Sequence, residues 1–444
     1  MSERKLVEPR TLKGFNDLMP GEALLKRRML SSLTSVFESF GFCTIETPHL
    51  EFTEVLLGDA SPEIQKQLFR FTDQGGRDVT LRFDLTVPTA RYVSQYKNEL
   101  GLPFKRYMIG NAFRGEKPQK GRYREFTQCD FDFLGATGLG SDCEVLQVIV
   151  AGLTALKIEN FCIRINNRHL MNGLCEWLQV GEKAAAVIQV VDKIDKITPA
   201  GVSKELVETV GLSSTQAQAL LDLVSLSSAA RLGVSSLEGF SHPALANETF
   251  ARGVNELREL GERLIDVGVS PNLFRIDFSI ARGFGYYTGT VFETNLAGLP
   301  EFGSVCSGGR YDNLTQTFQR EPISGIGASF GLDRLIAALQ EGESKSLKRS
   351  PADVLVVVAG EHAERRAARV GSFLRENGPF LVDVFPEAAK IKKQLGYAER
   401  NGIRVLVFVR DDSSIALETT DGSFKESFTL DSSLIAAINK LVAR

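Results

Sequence analysis

No stretch of the 444-residue chain approaches the roughly 18 uninterrupted apolar residues that a bilayer-spanning helix needs, and the opening run MSERKLVEPR has no apolar core such as a secretion signal carries. The expected location is cytoplasmic. Cysteine and histidine are scarce, six and four respectively, and none falls at C-x-x-C or H-x-x-x-H spacing. This argues against a zinc site and a disulfide framework, leaves the cysteines as small reduced residues, mostly buried, and predicts no structural metal. Large net charge is missing too: at −3 the chain is not one that coats nucleic acid indiscriminately, although local basic patches can still hold an RNA substrate. What remains is 43% apolar and 24% charged residues over a length sufficient for two or three cores, hence a soluble multidomain protein.

Along the chain, Leu25, Met29, Leu33, Val36 and Phe40 form one stripe at helical spacing after the breaker Pro20-Gly21, which predicts a core-facing helix over 21–40. β-Prone runs follow at 42–47, 79–83 and 104–109, and again at 275–280, 288–294, 304–307 and 326–330, before a helix beginning near Leu332. Strands gathered in runs, not strictly alternating with helices, predict an α+β fold: an antiparallel sheet flanked by helices. Residues 181–262 are rich in Ala, Leu, Ser and Glu and read as a helical insertion. The polar stretch 341–351, ending in proline, reads as a linker. Beyond it, strand and helix alternate from 353 to 409, a separate small α/β domain spanning 352–444.

The most informative segment is FRGEKPQKGRYREFTQCDFDF, residues 113–133. Its second half alternates, with Phe126, Gln128, Asp130 and Asp132 facing one way and Cys129, Phe131 and Phe133 the other, so one strand has a polar face and an apolar face. Lys117-Pro118-Gln119-Lys120-Gly121 has the composition of a hairpin loop, and Arg122 and Arg124 open the return strand. Pattern alone favours an exposed, mixed-charge hairpin. The full string, however, resembles motif 2 of the class II aminoacyl-tRNA synthetases in its histidyl form, FR-x-E-x-P-Q-x-GRYREF-x-Q. Four further strings match that family in order: LRFDLTVPTAR at 81–91, ARGFGYYTGTVFE at 281–293, SGGRYDNL at 307–314 and GIGASFGLDRL at 325–335, the last resembling motif 3. The region ending at Pro48 is similar to motif 1. A lone glycine-rich string would be weak evidence, because glycines 325, 327 and 331 are equally suited to close packing.

The resemblance implies a class II catalytic domain over 1–340, an anticodon-binding domain at the C-terminus, and ATP-dependent activation of histidine followed by transfer to tRNA(His). It implies ATP with Mg2+ as cosubstrate, and a homodimer, because motif 1 packs against its symmetry mate. Adenylation brings the histidine carboxylate to the α-phosphate, so fixed cations must offset the gathering charge. By resemblance these are Arg114, binding α-phosphate and carboxylate, Arg282 at the same centre, and Arg334 at the γ-phosphate; arginine suits this because its planar fork donates bidentately. Glu116 and Arg122 would place the nucleotide and Phe126 would stack on adenine. Asp84, Leu85, Thr86 and Gln128 would surround the α-ammonium, Asp132 and Tyr287 would hold the two ring nitrogens, and Tyr286 would line the pocket. Gln119 and Lys120 would meet the acceptor end of the tRNA.

Two positions depart from the family pattern. Gly285 stands where Asp usually precedes the tyrosine pair, and Asp84 stands where many members have Glu, one methylene shorter. In the last domain Lys390, Lys392, Lys393 and Arg400 form either a solvated helix face or a contact to the anticodon stem. A non-catalytic alternative is the histidine-sensing regulatory paralogue of ATP phosphoribosyltransferase, which lacks an anticodon-binding domain and tends to lose the signature arginine. This chain retains 353–444 and Arg282. A second alternative, the synthetase-like RNA-binding module of a stress kinase, requires a kinase domain that is not present.

Overall fold

The computed structural model describes residues 7–58, 65–119, 121–194, 197–230, 232–280, 287–342, 347–412 and 414–443. The chain forms two compact units, one of Met1–Asn16 with Met29–Gly342 and one of Asp17–Arg28 with Glu343–Arg444.

In the first unit the strands are β1 (Cys43–Thr44), β2 (Leu50–Phe52), β3 (Arg70–Thr72), β4 (Asp78–Leu81), β5 (Phe104–Phe113), β6 (Glu125–Leu134), β7 (Phe161–Asn167), β8 (Phe274–Ile276), β9 (Thr290–Leu296), β10 (Ser304–Tyr311) and β11 (Gly325–Gly331). Eight of them make one sheet in the order β1-β5-β6-β11-β10-β9-β7-β8, antiparallel except at its two edges, where β1 pairs with β5 and β8 with β7 in parallel. β2, β4 and β3 form a small antiparallel sheet of their own.

Alternation along β6 decides what each sheet face does. Cys129 and Phe131 are fully buried on one face, where Phe131 lies 5.1 Å from the Phe37 ring and 5.8 Å from that of Phe330. Phe37 belongs to the helix Pro20–Ser39, whose buried residues Met29, Leu33 and Phe37 recur every fourth position. The expected stripe is thus rotated slightly: Phe37 is fully buried, while Val36 and Phe40 are only half-buried. The helix Leu139–Ala155 covers the same face with Val145, Leu146, Val148, Ile149 and Leu153. The opposite face is left for polar groups.

Residues 184–238 carry four helices, Ala184–Val191, Pro199–Glu208, Ser214–Ala230 and Ser235–Glu238. The helix Glu248–Asp266, grouped by composition with the insertion, instead packs against the helix Arg168–Trp177. The approach is so close that a Cβ on Gly253 would lie 2.3 Å from the Leu170 nitrogen, and one on Gly173 2.1 Å from that of Phe250. Its apolar stripe of Phe250, Val254, Leu257, Leu260 and Leu264 is what that packing buries.

The second unit holds β12 (Val354–Val358), β13 (Val382–Val384), β14 (Val405–Val409), β15 (Ile415–Thr419) and β16 (Lys425–Phe428), ordered β13-β12-β14-β15-β16. The first three are parallel and joined through the helices Glu364–Asn377 and Ile391–Asn401, as the alternating pattern predicts; β15 and β16 add an antiparallel edge. Lys390, Lys392, Lys393 and Arg400 are all exposed, and Lys393 pairs with Glu387 at 2.9 Å.

Candidate active site

The polar face of the large sheet opens into a cavity of about 190 Å3. Its wall includes Asp84, Thr86, Arg114, Glu116, Arg122, Phe126, Gln128, Asp132, Tyr287, Ser307 and Arg334, so residues from five separate stretches of the chain meet here. Leu85 does not line it. Its side chain is fully buried with Ile45 and Met108, and its carbonyl accepts from Thr89 inside the helix Thr86–Gln95. Gln119 is exposed in the loop between β5 and β6, where its backbone exchanges two hydrogen bonds with Arg122 around Gly121, whose φ of +68° favours glycine. Arg282, Gly285, Tyr286 and Lys120 lie outside the described residues.

Local structure explains each placement. Arg114 follows β5 directly, with Nε donating to the Phe83 carbonyl at 2.9 Å and the guanidinium 5.0 Å from the centre of the Phe126 ring. Arg122 pairs with Glu116 at 3.5 Å across the loop. Arg334, in the first turn of the helix Leu332–Gly342, donates to the Ser304 carbonyl at 2.6 Å. The neighbouring Asp333 accepts from the Thr127 backbone at 2.7 Å and so ties that helix to β6. Tyr287, half-buried, packs against the cluster of Val93, Leu134, Tyr311 and Ile323.

At the deep end sits a charge network of which sequence reading found only part. Asp132 forms an ion pair with Arg106 of β5 and accepts from the hydroxyl of Tyr311 at the end of β10; all three are almost wholly buried. A carboxylate has about four acceptor sites, so two partners still leave room for a ligand donor. Gly327 on β11 permits this arrangement, since a Cβ there would lie 2.0 Å from the Asp132 Oδ1. Arg106 and Tyr311 were not singled out from sequence. The available signal for Arg106 was the adjacent cation pair Lys105-Arg106 in β5, because successive strand residues face opposite sides and a cation turned inward in a central strand demands a buried partner. Asp130 was placed on the polar face without a role; it lines the cavity, as does Ser329.

Among the described residues, two acceptor atoms in this wall have neither a hydrogen-bond nor an ion-pair partner: Oδ2 of Asp84 and Oε1 of Gln128. The other Asp84 oxygen accepts from the Val87 backbone at 3.1 Å. Burial pushes the Asp84 carboxyl up to about 6 and that of Asp130 up to about 7, even though Arg106 acts in the opposite direction on both. Burial likewise raises Asp132 above the usual carboxylate value. Acids whose affinity for protons is higher in the folded chain contribute stability below their unfolded value near 4 and lose it as pH rises through the folded value. Stability of the ligand-free protein should therefore fall between about pH 4 and 7. Asp130→Asn is expected to be more stable than wild type at pH 8, by on the order of 2–4 kcal/mol, with little difference at pH 4. Urea midpoints at the two pH values test this, and an equal difference at both would contradict it.

The cavity thus combines arginines able to face phosphates and a carboxylate, unpaired acceptors suited to an ammonium, and a buried acid beside two tyrosines. Comparison with known proteins points the same way. A family model described as histidyl-tRNA synthetase matches residues 14–335. The histidine–tRNA ligase of Wolinella succinogenes is 50% identical over 417 residues, 93% of each chain. The crystal structure of histidyl-tRNA synthetase from Nostoc sp. PCC 7120 is similar with a TM-score of 0.86 at 32% identity, covering 98% of this chain and 100% of that one. A Bacillus halodurans protein described as an ATP phosphoribosyltransferase regulatory subunit/histidyl-tRNA synthetase has a TM-score of 0.74 over 91% and 99% of the two chains, but at 23% identity it shares the fold alone. By model, identity and coverage together, this chain belongs to the histidyl-tRNA synthetase family.

Proposed function

We propose that the chain activates L-histidine with ATP to histidyl-adenylate and transfers the histidyl group to the 3′ end of tRNA(His). The observation that carries the amino-acid half is the pair of buried, partnerless acceptors, Asp84 Oδ2 and Gln128 Oε1, in one cavity wall. Leaving such atoms unpaired costs about 1–3 kcal/mol each, which an ammonium with three donors removes.

In the first step a carboxylate oxygen of histidine bonds to the α-phosphorus while the bond to pyrophosphate breaks and takes its electron pair with it. Arg114 serves the α-phosphate and the carboxylate, with Arg282 beside it by resemblance, and Arg334 serves the γ-phosphate. Adenine takes the face of Phe126 that Arg114 does not cover, with Glu116 and Arg122 positioning the nucleotide. Among the described residues no three His, Cys, Asp or Glu side chains converge to hold a metal. Mg2+ accompanying the ATP phosphates would neutralise phosphate charge, and Glu116, which lines the cavity beside Arg122, is the carboxylate that would hold it. Asp132 and Tyr287 hold the imidazole. In the second step a ribose hydroxyl at the tRNA 3′ end attacks the activated carbonyl and AMP leaves.

The second unit is assigned to the anticodon, with the exposed Lys390, Lys392, Lys393 and Arg400 as its candidate contacts, and the working form is assigned as a cytoplasmic homodimer. Histidine-dependent exchange of pyrophosphate into ATP, followed by charging of purified tRNA, tests the whole reading. A histidine-sensing regulatory protein would bind histidine and give neither.

Replacing Gln119 and Lys120 together is expected to slow aminoacyl transfer at least tenfold while leaving pyrophosphate exchange within about twofold, since the pair belongs to the loop assigned to the acceptor end of the tRNA and loses charge-assisted contacts there. Equal loss in both assays would assign the loop to ATP instead.

A further inference from the structure

We propose that Asp130 and Ser329 are positioning residues that fix which way the Gln128 amide points, and thereby make the site selective for a protonated amine; this rests on the assignment of Gln128 to the histidine ammonium. An amide side chain has one acceptor end and one donor end, and the two are interchanged by a half-turn about its last bond. With the oxygen toward the ligand, Gln128 accepts from an ammonium; with the nitrogen there, it opposes donor to donor.

The surroundings select one orientation. Gln128 sits on β6 opposite Gly331 of β11, one pleat from Ser329, which itself stands opposite Asp130. Its Nε2 donates to the Ser329 hydroxyl at 3.0 Å and to the Asp130 carboxylate at 3.4 Å. Both partners are held by the two central strands, and Asp130 is 2% exposed. Once ionised, above the value of about 7 to which burial raises it, the Asp130 carboxylate can only accept, so turning the amide over would set the Gln128 oxygen against it in a poorly solvated place, where such repulsion is least screened. The consequence is visible at the other end of the amide, where Oε1 is buried, without a partner, and part of the cavity wall. Asp130 therefore need not touch the substrate to matter. It acts through Gln128, while the imidazole is met elsewhere, by Asp132 and Tyr287.

This separates amine recognition from ring recognition and yields a signature that general loosening of the site would not. The probes are histidinol, which keeps the amine and the ring but lacks the carboxylate, and imidazolepropionate, which keeps the ring and the carboxylate but lacks the amine. Both are measured as inhibitors of pyrophosphate exchange competing with histidine. Asp130→Ala is expected to weaken histidinol about tenfold and imidazolepropionate less than twofold; Ser329→Ala, the milder change, to give the same pattern at about threefold; and Asp130→Asn, whose amide can donate as well as accept and so selects the orientation less strictly, to restore only part of the histidinol affinity. Gln128→Ala is the control for the underlying assignment. If it weakens histidinol selectively while Asp130→Ala and Ser329→Ala leave both inhibitors unchanged or weaken both equally, the positioning role is wrong. If Gln128→Ala itself shows no selectivity, the assignment of Gln128 to the amine is wrong. Should Asp130→Ala not fold, Ser329→Ala alone decides.

Discussion

Arg114→Ala is expected to slow histidine-dependent pyrophosphate exchange by ~10²–10³, the usual effect of deleting one preorganised charge stabiliser. The guanidinium is fixed before any substrate arrives, by its bond to the Phe83 carbonyl and by the Phe126 ring beneath it, so no reorganisation is needed as charge develops on the α-phosphate. Lysine would not replace it, because a point charge lacks the second parallel donor and could not keep the bond to Phe83 while serving phosphate. Arg282→Ala should show a loss of the same size, on the strength of its place in the string 281–293. Single-turnover formation of the adenylate at saturating ATP and histidine is the decisive measurement. A folded Arg114→Ala protein with a near-normal rate would remove this residue from the catalytic centre.

The second large effect concerns Asp132. A pocket that buries hydrogen-bonding groups rejects a ligand lacking their partners by up to ~10⁴–10⁵, so histidine should be separated from phenylalanine and leucine without an editing step. Tyr287→Phe should raise the histidine concentration needed for half-maximal exchange. Asp132→Ala should raise it further and also destabilise the fold by about 3–5 kcal/mol, because it leaves the guanidinium of Arg106 buried without its anion. Asp132→Asn keeps an acceptor for Tyr311 and most of the packing but removes the charge from both the imidazole and Arg106, so it should share part of the destabilisation while showing the full loss of tautomer control. Wild-type histidine dependence in Tyr287→Phe and Asp132→Asn, with both proteins folded, would place the ring elsewhere in the cavity.

Most of the residues that line the cavity were readable from the chain, because they stand in strings whose order is specific. The alternation of β6 separated Gln128, Asp130 and Asp132 from Cys129 and Phe131, since a strand must place successive side chains on opposite faces. Composition and the change of pattern after residue 351 set off an α/β region, and periodicity marked the helix Pro20–Ser39. Periodicity did less well where neighbours decide. The buried stripe of that helix runs through Phe37 and not Phe40 because the rings of Phe131 and Phe330 lie beneath it, and a helical wheel does not know where its partner sheet is. Leu85, inside a matching string, turned into the core for a similar reason: the backbone entering the helix at Thr86 directs it toward Ile45 and Met108.

What only the tertiary structure decided is which groups are already committed. Arg106 and Asp132 are 26 residues apart and become cross-strand neighbours through the register of β5 and β6, while Tyr311 reaches the same carboxylate from 179 positions away. Ser329 meets Gln128 only because β11 pairs with β6 in that register, whereas Asp130 stands two residues along the same strand on the same face. Sequence fixes the donors and acceptors a site can possess. Which of them remain unpaired, and so await a ligand, depends on burial and pairing between strands distant in the chain, and hydrogen bonding at a range of about 3 Å is decided only when those strands meet.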